Sequence, residues 1–455
     1  MKTPKLAFVE RSESDFISAK IANENFINFL SKYMEVDRIS VAEKKDLKET
    51  FENIENDKFD YVYIDSFNFL LETFLLRDRY QLNISIIARL DSIIHQEQNN
   101  FAYLIPLIRE GDMLFTPSRY SQNSYYRISD KVKIHCIPHA IDINLIQKNM
   151  NPNIKNDKII ITYLGRLADQ KGVSILIESM PRIFSEVRNV QLNVIGPLSG
   201  DRITNYPQTE YVKKIKERVK ELNLAEIIHF KGVQFGADKY KLLSQSVILV
   251  NPTIAAEETF GIVNIEALSC GVPVVATNWA GINEIINDKI NGVLVDIECK
   301  KFKRGNFTGK SYKVNQRQLV NSIVSILQSK TLQLKLKQNA LISAKDYDYR
   351  KIMPCLVDLL NKTNRGRLQK RAWGSIKTKK ATDFDYLYNR DFLFFLYYFK
   401  YNLYTYSELY QKFFGSDVLS FNEPKAGRNF NIKESDKDRN RNILRVYSDY
   451  LMLRD

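Results

Sequence analysis

A chain of 455 residues, 44% of them apolar and 26% charged, is too rich in core-forming side chains to be disordered and too long for a single core. Its 67 Lys and Arg outweigh 53 Asp and Glu, and the surplus of +14 leaves nucleic acid, an anionic membrane surface or a small anionic substrate as partner classes. The four cysteines, Cys136, Cys270, Cys299 and Cys355, show no C-x-x-C spacing; the expectation is a reducing, cytoplasmic compartment without a zinc or disulfide framework. The N-terminus lacks the apolar core of a signal peptide, and no run of about 18 uncharged apolar residues would span a bilayer.

Residues 5–9 are a short apolar run, predicted as a buried strand. Residues 61–64 and 84–88 are two more. Between them, Ile21, Phe26, Ile27, Phe29 and Leu30 have helical spacing. Strands alternating with helices predict βαβ units on a parallel sheet. The polar segment 151–158, with Pro152, reads as a linker, which puts a first domain at 1–155 and a second at 156–345.

The second series opens with a strand at 159–164, followed at once by Gly165. A helix is expected over 173–186, a strand over 191–195 ending at Gly196-Pro197, and further strands at 247–250 and 273–277. Two consecutive series predict two Rossmann-like α/β domains facing each other across a cleft, with ligands beyond the carboxyl ends of the strands. After about residue 363 the composition changes. Residues 364–380 carry seven Lys and Arg and no acid, residues 384–414 hold 15 aromatics, and residues 423–445 are polar and mixed in charge. Residues 363–455 have 18 basic and 11 acidic side chains, so half of the net charge sits in this extension.

Two segments carry chemistry. In the first, residues 257–275, a loop leads into a helix from about Gly261, Gly271 stops it left-handed, and Pro273 begins a strand. Gly261 lets a ligand approach the backbone, and the free N–H groups of the helix start favour a phosphate. Glu258 and Glu266 flank that start and suit sugar hydroxyls better than phosphate. In the second segment, Gly165-Arg166-Leu167-Ala168-Asp169-Gln170-Lys171-Gly172, a guanidinium and an ammonium bracket a turn at a strand's end. That pairing suits a diphosphate whose charge must be stabilised as it leaves.

Together these segments resemble glycosyltransferase family 4, nucleotide-sugar-dependent retaining enzymes of GT-B architecture. The family's C-terminal half shows G-R-x(4)-K-G, then E-x(7)-E, then A-x(3)-G-x-P-V-V-A-T. Here Gly165-Arg166, Lys171-Gly172, Glu258, Glu266-Ala267, Gly271, Pro273 and residues 274–277 stand in that order. Residues 280–286 (AGINEII) and 291–295 (NGVLV) resemble two further stretches. The resemblance covers roughly residues 105–360 and is dense from 159 to 296.

It implies a GT-B fold plus a C-terminal helical extension, with a helix over 346–362 returning to the first domain. Arg166 and Lys171 would take the donor diphosphate, Glu266 the ribose and Glu258 the transferred sugar. Gly165 and the backbone N–H groups of Thr259, Phe260, Gly261 and Ile262 would complete the donor site. The resemblance implies no metal and no resident cofactor, the basic pair supplying the electrostatics. It implies a hexosyltransferase-type enzyme acting on a saccharide, lipid-linked or protein acceptor, as in surface polysaccharide biosynthesis.

The N-terminal half departs from the pattern. Residues 8–15 (FVERSESD) lack the family's Gly-Gly loop, and residues 88–95 (ARLDSIIH) have no clean T-x-H. Asp91 is the first acceptor-side and catalytic candidate there, then His95 and Arg89; Asp91 could equally cap its strand, and His95 could be a loop residue. Residues 116–118 (TPS) and 137–142 (IPHAID) resemble two family stretches, with His139-Ala140 in place of N-G. His135 and His139 are four apart, but Pro138 prevents a helical metal pair. His229 reads as structural.

In the extension, Phe392, Phe395, Leu396, Phe399 and Leu403 have helical spacing, while other aromatics cover the remaining faces. Packing on the α/β body or on a second copy of the chain is the plain reading. A peripheral membrane contact beside the basic run is the alternative. Stacking on single-stranded nucleic acid is weaker, because no nucleic-acid module accompanies it. Two rival functions stay open: a catalytically inactive nucleotide-binding or scaffolding subunit, and a binding module whose function lies in the extension.

Overall fold

The computed structural model describes residues 3–11, 17–54, 58–65, 69–93, 104, 107–126, 132–151, 157–197, 208–304 and 307–362. His95, most of the 151–158 linker and the whole extension from 363 lie outside the described residues.

The first half runs β1 (Lys5–Arg11), α1 (Ile17–Leu30), β2 (Glu35–Val41), α2 (Lys44–Glu52), β3 (Tyr61–Asp65), α3 (Leu70–Arg79), β4 (Ser85–Arg89), β5 (Met113–Thr116), α4 (Arg119–Tyr126) and β6 (Ile134–Cys136). Its six strands lie in the order β2-β1-β3-β4-β5-β6, every neighbouring pair parallel. A parallel sheet is covered on both faces, so β4 is buried at all five positions and β5 at all four. Leu47 and Phe51 of α2 and Leu71, Phe74 and Leu75 of α3 join Val62, Ile64, Ile86 and Leu114 in one core cluster.

The second half runs α5 (Ile143–Lys148), β7 (Ile159–Leu164), α6 (Val173–Glu186), β8 (Val190–Ile195), α7 (Gln208–Glu221), β9 (Ile228–Gly232), α8 (Gly236–Ser244), β10 (Ile248–Asn251), α9 (Ile262–Ser269), β11 (Val274–Thr277), β12 (Gly292–Val295), β13 (Ile297–Arg304), β14 (Phe307–Val314), α10 (Gln316–Gln328), α11 (Lys330–Ala344) and α12 (Tyr349–Lys362). Its sheet has the order β12-β11-β10-β7-β8-β9, again parallel throughout. The chain moves outward from β7 through β8 to β9, then returns to the other side of β7 with β10. The topological switch point therefore lies between β7 and β10, where open α/β sheets hold ligands beyond their carboxyl ends.

Helix α6 shows how the sequence enforces this packing. Val173, Leu176, Ile177, Met180 and Ile183 recur at helical spacing and are all buried. Each such side chain contributes about 1.5–3 kcal/mol when taken from water. Asn315 caps α10 by accepting from Gln318 N at 2.9 Å, and Ser329 caps α11 by accepting from Leu332 N at 3.2 Å.

The chain divides into two compact units, and the division differs from the expected one. The first unit takes residues 1–138, and the second begins at His139 rather than after the polar linker. The reason is α5, which Asp142 caps by accepting from Leu145 N at 3.1 Å. Its Ile143 and Ile146 belong to a core cluster with Tyr240, Leu243, Ile265 and Leu268. The helix expected over 346–362 to return to the first domain corresponds to α12, Tyr349–Lys362, which counts with the first unit from Met353 onward; within that unit Tyr61 Oη donates to Leu360 O at 3.2 Å. The two-stranded sheet of β13 and β14 was not expected; it stands between β12 and α10.

Candidate functional site

Two loops leave the sheet at the switch point of the second unit, one after β7 and one after β10. Gly165 N donates to Ile195 O at 3.0 Å, and a Cβ on Gly196 would lie 1.9 Å from Gly165 O, so these strand exits run backbone to backbone. Tyr163, 2% exposed, donates from Oη to Arg166 O at 2.7 Å. Burial pushes its phenol well above the ordinary range, with smaller contributions from Tyr211 and Glu258, so it stays a neutral donor. The half-buried Arg166 guanidinium has no hydrogen bond or ion pair among the described residues.

A 3₁₀ turn, Asp169–Lys171, then ends at Gly172, whose φ is 73°. Only glycine fits there, because a Cβ would also lie 2.2 Å from Pro252 O. The two loops are joined through one carbonyl. Gln170 O accepts from Thr253 Oγ1 at 3.0 Å and from Ile254 N at 2.9 Å. Lys171 completes the link, its Nζ donating to Glu258 Oε2 at 2.6 Å with the two side chains 19% and 15% exposed.

The second loop is braced from behind. Trp279 Nε1 donates to Ala255 O at 2.9 Å, and Gly281 N donates to Glu258 O at 3.0 Å. A Cβ on Gly281 would stand 2.0 Å from Thr259 O. Gly281→Ala is expected to cost about 3 kcal/mol through this backbone clash. Calorimetric unfolding of the variant would check it, and an unchanged transition would show that the loop is not fixed from this side.

Gly261, with φ 92°, turns the chain into α9, which has neither a side-chain cap nor an acid in its first turn. Among the described residues the Ile262 and Val263 amides of α9 have no partner, while Asn264 N donates to Gly261 O at 2.9 Å, so the first two amides and the positive end of the dipole are open to a ligand. Of the four expected backbone donors, the Thr259 amide is occupied, donating to Glu257 O at 2.8 Å. Phe260 offers only its backbone. Its side chain is 3% exposed and packs edge-on against His139 and Tyr347, with ring centroids 5.3 and 5.8 Å away.

Glu266, 5% exposed, sits about one turn deeper on α9. Its Oε1 accepts from Lys239 Nζ at 2.5 Å and from Tyr240 Oη at 3.3 Å. Sequence reasoning missed both partners, since Asp238-Lys239-Tyr240-Lys241 looks like a solvated face. The available signal was the position of Lys239 four residues before the buried Leu243, on the inward side of α8.

The structure thus brings Gly165, Arg166, Lys171, Glu258, Thr259, Phe260, Gly261, Ile262 and Glu266 into one unit around one switch point. Asp91 belongs to the first unit. Its Oδ2 accepts from Arg89 Nε at 2.6 Å, and Arg89 Nη2 donates to Asn23 Oδ1 at 2.9 Å. Arg89 is 4% exposed and lies over the Tyr63 ring at 5.9 Å. A buried guanidinium needs a counter-charge, and Asp91 supplies it. Among the described residues no group of three His, Cys, Asp or Glu is arranged for a metal, and no helix is long and apolar enough to cross a membrane.

Comparison with known proteins places this geometry. The family described as Glycosyl transferases group 1 matches residues 146–341. An uncharacterized glycosyltransferase of Methanocaldococcus jannaschii is 33% identical over 174 residues, covering 36% of this chain and 41% of that protein. A D-inositol 3-phosphate glycosyltransferase of Segniliparus rotundus is 26% identical over 204 residues, covering 42% and 43%. The matches to these two relatives span less than half of their lengths. Among solved structures, Anabaena HepE in complex with UDP and glucose aligns with a TM-score of 0.61 at 18% identity, over 79% of this chain and 99% of that one. Sucrose-phosphate synthase from Thermosynechococcus elongatus aligns at 0.59 with 16% identity, over 79% and 98%. The fold is therefore of the GT-B class, and the segment 146–341 is similar to the group 1 glycosyl transferases.

Proposed function

We propose that the chain is a retaining glycosyltransferase that moves a sugar from a nucleoside-diphosphate sugar to a hydroxyl, in the synthesis of a surface glycan or lipid-linked saccharide. One observation carries the reading: Arg166 and the Lys171–Glu258 pair stand at the switch point that also holds the uncapped start of α9. The matching family and the UDP-bound relative support it.

In this reading the diphosphate lies at the start of α9, where the Gly261 and Ile262 amides and the Arg166 fork meet its oxygens. Lys171 contacts phosphate on one side and Glu258 on the other. Glu258 takes sugar hydroxyls, and Glu266 takes the ribose. The bond from the anomeric carbon to the phosphate oxygen breaks, and the acceptor oxygen bonds to that carbon from the same face. The acceptor proton passes to the departing phosphate oxygen. Negative charge grows on that phosphate, so Arg166 and Lys171 stabilise the transition state more than the ground state, and no metal ion is required. Asp91 acts as the fixed counter-charge of Arg89, on the acceptor domain.

The test is release of nucleoside diphosphate from UDP-, GDP- and ADP-sugars, with the product anomer read by NMR. Saturable turnover with retained configuration is expected, lowered about 10²-fold by Glu258→Gln. No turnover with any of these donors, or inverted product, would overturn the reading and favour a non-catalytic subunit.

A further inference from the structure

Lys239 of α8 is 8% exposed, and its ammonium meets Glu266 Oε1 at 2.5 Å and stands 4.9 Å from the Tyr240 ring centroid. Glu266 is its one acidic partner among the described residues. Taking an ammonium and a carboxylate out of water is unfavourable unless their geometry offsets the lost hydration. A leucine in place of Lys239 would pack this side of α8 without that penalty. The pair therefore calls for an explanation in what it does to Glu266.

The geometry divides the carboxylate. Oε1 accepts from both Lys239 and Tyr240, while Oε2 accepts from no described residue. We propose that Lys239 is a positioning residue which clamps Oε1 of Glu266, leaving Oε2 as the single acceptor presented to the ribose diol of the donor and so setting the preference for ribonucleotides. The proposal rests on the reading above that Glu266 meets the ribose. The neighbours keep the clamp in one ionic form. Burial first, then the Glu266 carboxylate, hold the Tyr240 phenol far above its ordinary range, as a neutral donor. Burial and the Glu266 carboxylate push the Cys270 thiol up to about 12, so it stays uncharged beside the pair. Lys239 is thus the one cation bonded to Glu266 among the described residues.

The experiment is calorimetric titration of the full chain with UDP and GDP and with their 2′-deoxy forms. The unmutated protein is expected to bind one ribonucleotide at least about tenfold more tightly than its deoxy form, the worth of one charge-assisted hydrogen bond. Lys239→Met should weaken the ribonucleotide about tenfold, leave the deoxy form little changed and bring their ratio towards one. Lys239→Met combined with Glu266→Gln should bind no more weakly than Glu266→Gln alone, because the clamp acts only through that carboxylate. Equal weakening of both forms, or an unchanged ratio, would show that Lys239 merely supports the fold. Where Lys239→Met does not fold, Lys239→Gln, which keeps a donor and drops the charge, carries the same comparison. Absence of binding by the unmutated chain would sink the site reading and this proposal together, whereas a persisting ratio in the variants would sink this proposal alone.

Discussion

Replacing Lys171 by methionine is expected to lower sugar transfer by about 10³-fold, the upper range for removing one preorganised donor from a charge-building site. The structure gives two reasons for so large an effect. The ammonium belongs to the turn that ends at Gly172, where the proposed function sets the diphosphate, and it is also bonded to Glu258 at 2.6 Å. Without it, a carboxylate only 15% exposed faces the incoming diphosphate with no counter-charge. Repulsion then adds to the lost stabilisation. Lys171→Met with Glu258→Gln should therefore bind nucleotide better than Lys171→Met alone, yet remain as inactive. Steady-state transfer and nucleotide titration of the two variants check both halves. Equal nucleotide affinity in the single and double variants would show that the pair does not couple to the diphosphate.

The second large effect concerns stability. Arg77 and Asp112 form an ion pair at 2.5 Å with both side chains 0% exposed. Arg77 Nη2 donates to Leu107 O at 2.7 Å, while Asp112 accepts from the backbone amides of Ile86 and Arg109, each at 2.8 Å. The pair ties α3 to the start of β4 and to the approach to β5. Arg77→Met strands a buried carboxylate and is expected to cost about 3–5 kcal/mol, since removing one partner of a buried pair leaves the other charge uncompensated. Adding Asp112→Asn removes that charge and should restore part of the loss. Denaturant unfolding of the two variants decides this, and a loss under about 1 kcal/mol for Arg77→Met would refute the role assigned to the pair.

The sequence was most legible where backbone constraints dictate residue type. Gly271 reads as a left-handed helix stop and has φ 68°. The helix expected over 173–186 is α6 to the residue, because five apolar positions repeat on one face. Lys171 and Glu258 each stand out in the sequence as candidates, but their bond joins residues 87 apart and has no local signature. Lys239 was hidden for the same reason, since its partner is 27 residues away and its neighbours are charged. β2 was missed because Glu35–Val41 is mostly polar and its burial is patchy along an edge of the sheet. The polar composition of 151–158 puts the expected boundary after residue 155, whereas the first compact unit ends at Pro138, because Ile143 and Ile146 pack into the core of the second. Asp91 reads in the sequence as an acceptor-side candidate or a strand cap, and its Oδ2 accepts from Arg89 Nε at the end of β4; residues two apart on an extended chain share a face, so the spacing permits this pair without announcing it.

A crystal structure of the full chain with a bound nucleoside diphosphate tests the donor site most directly. The diphosphate is expected at the start of α9, within hydrogen-bond reach of the Ile262 amide, Arg166 and Lys171, with the ribose on Glu266 Oε2. A nucleotide bound elsewhere, or with its ribose against Lys171 and its phosphates on Glu266, would contradict that assignment.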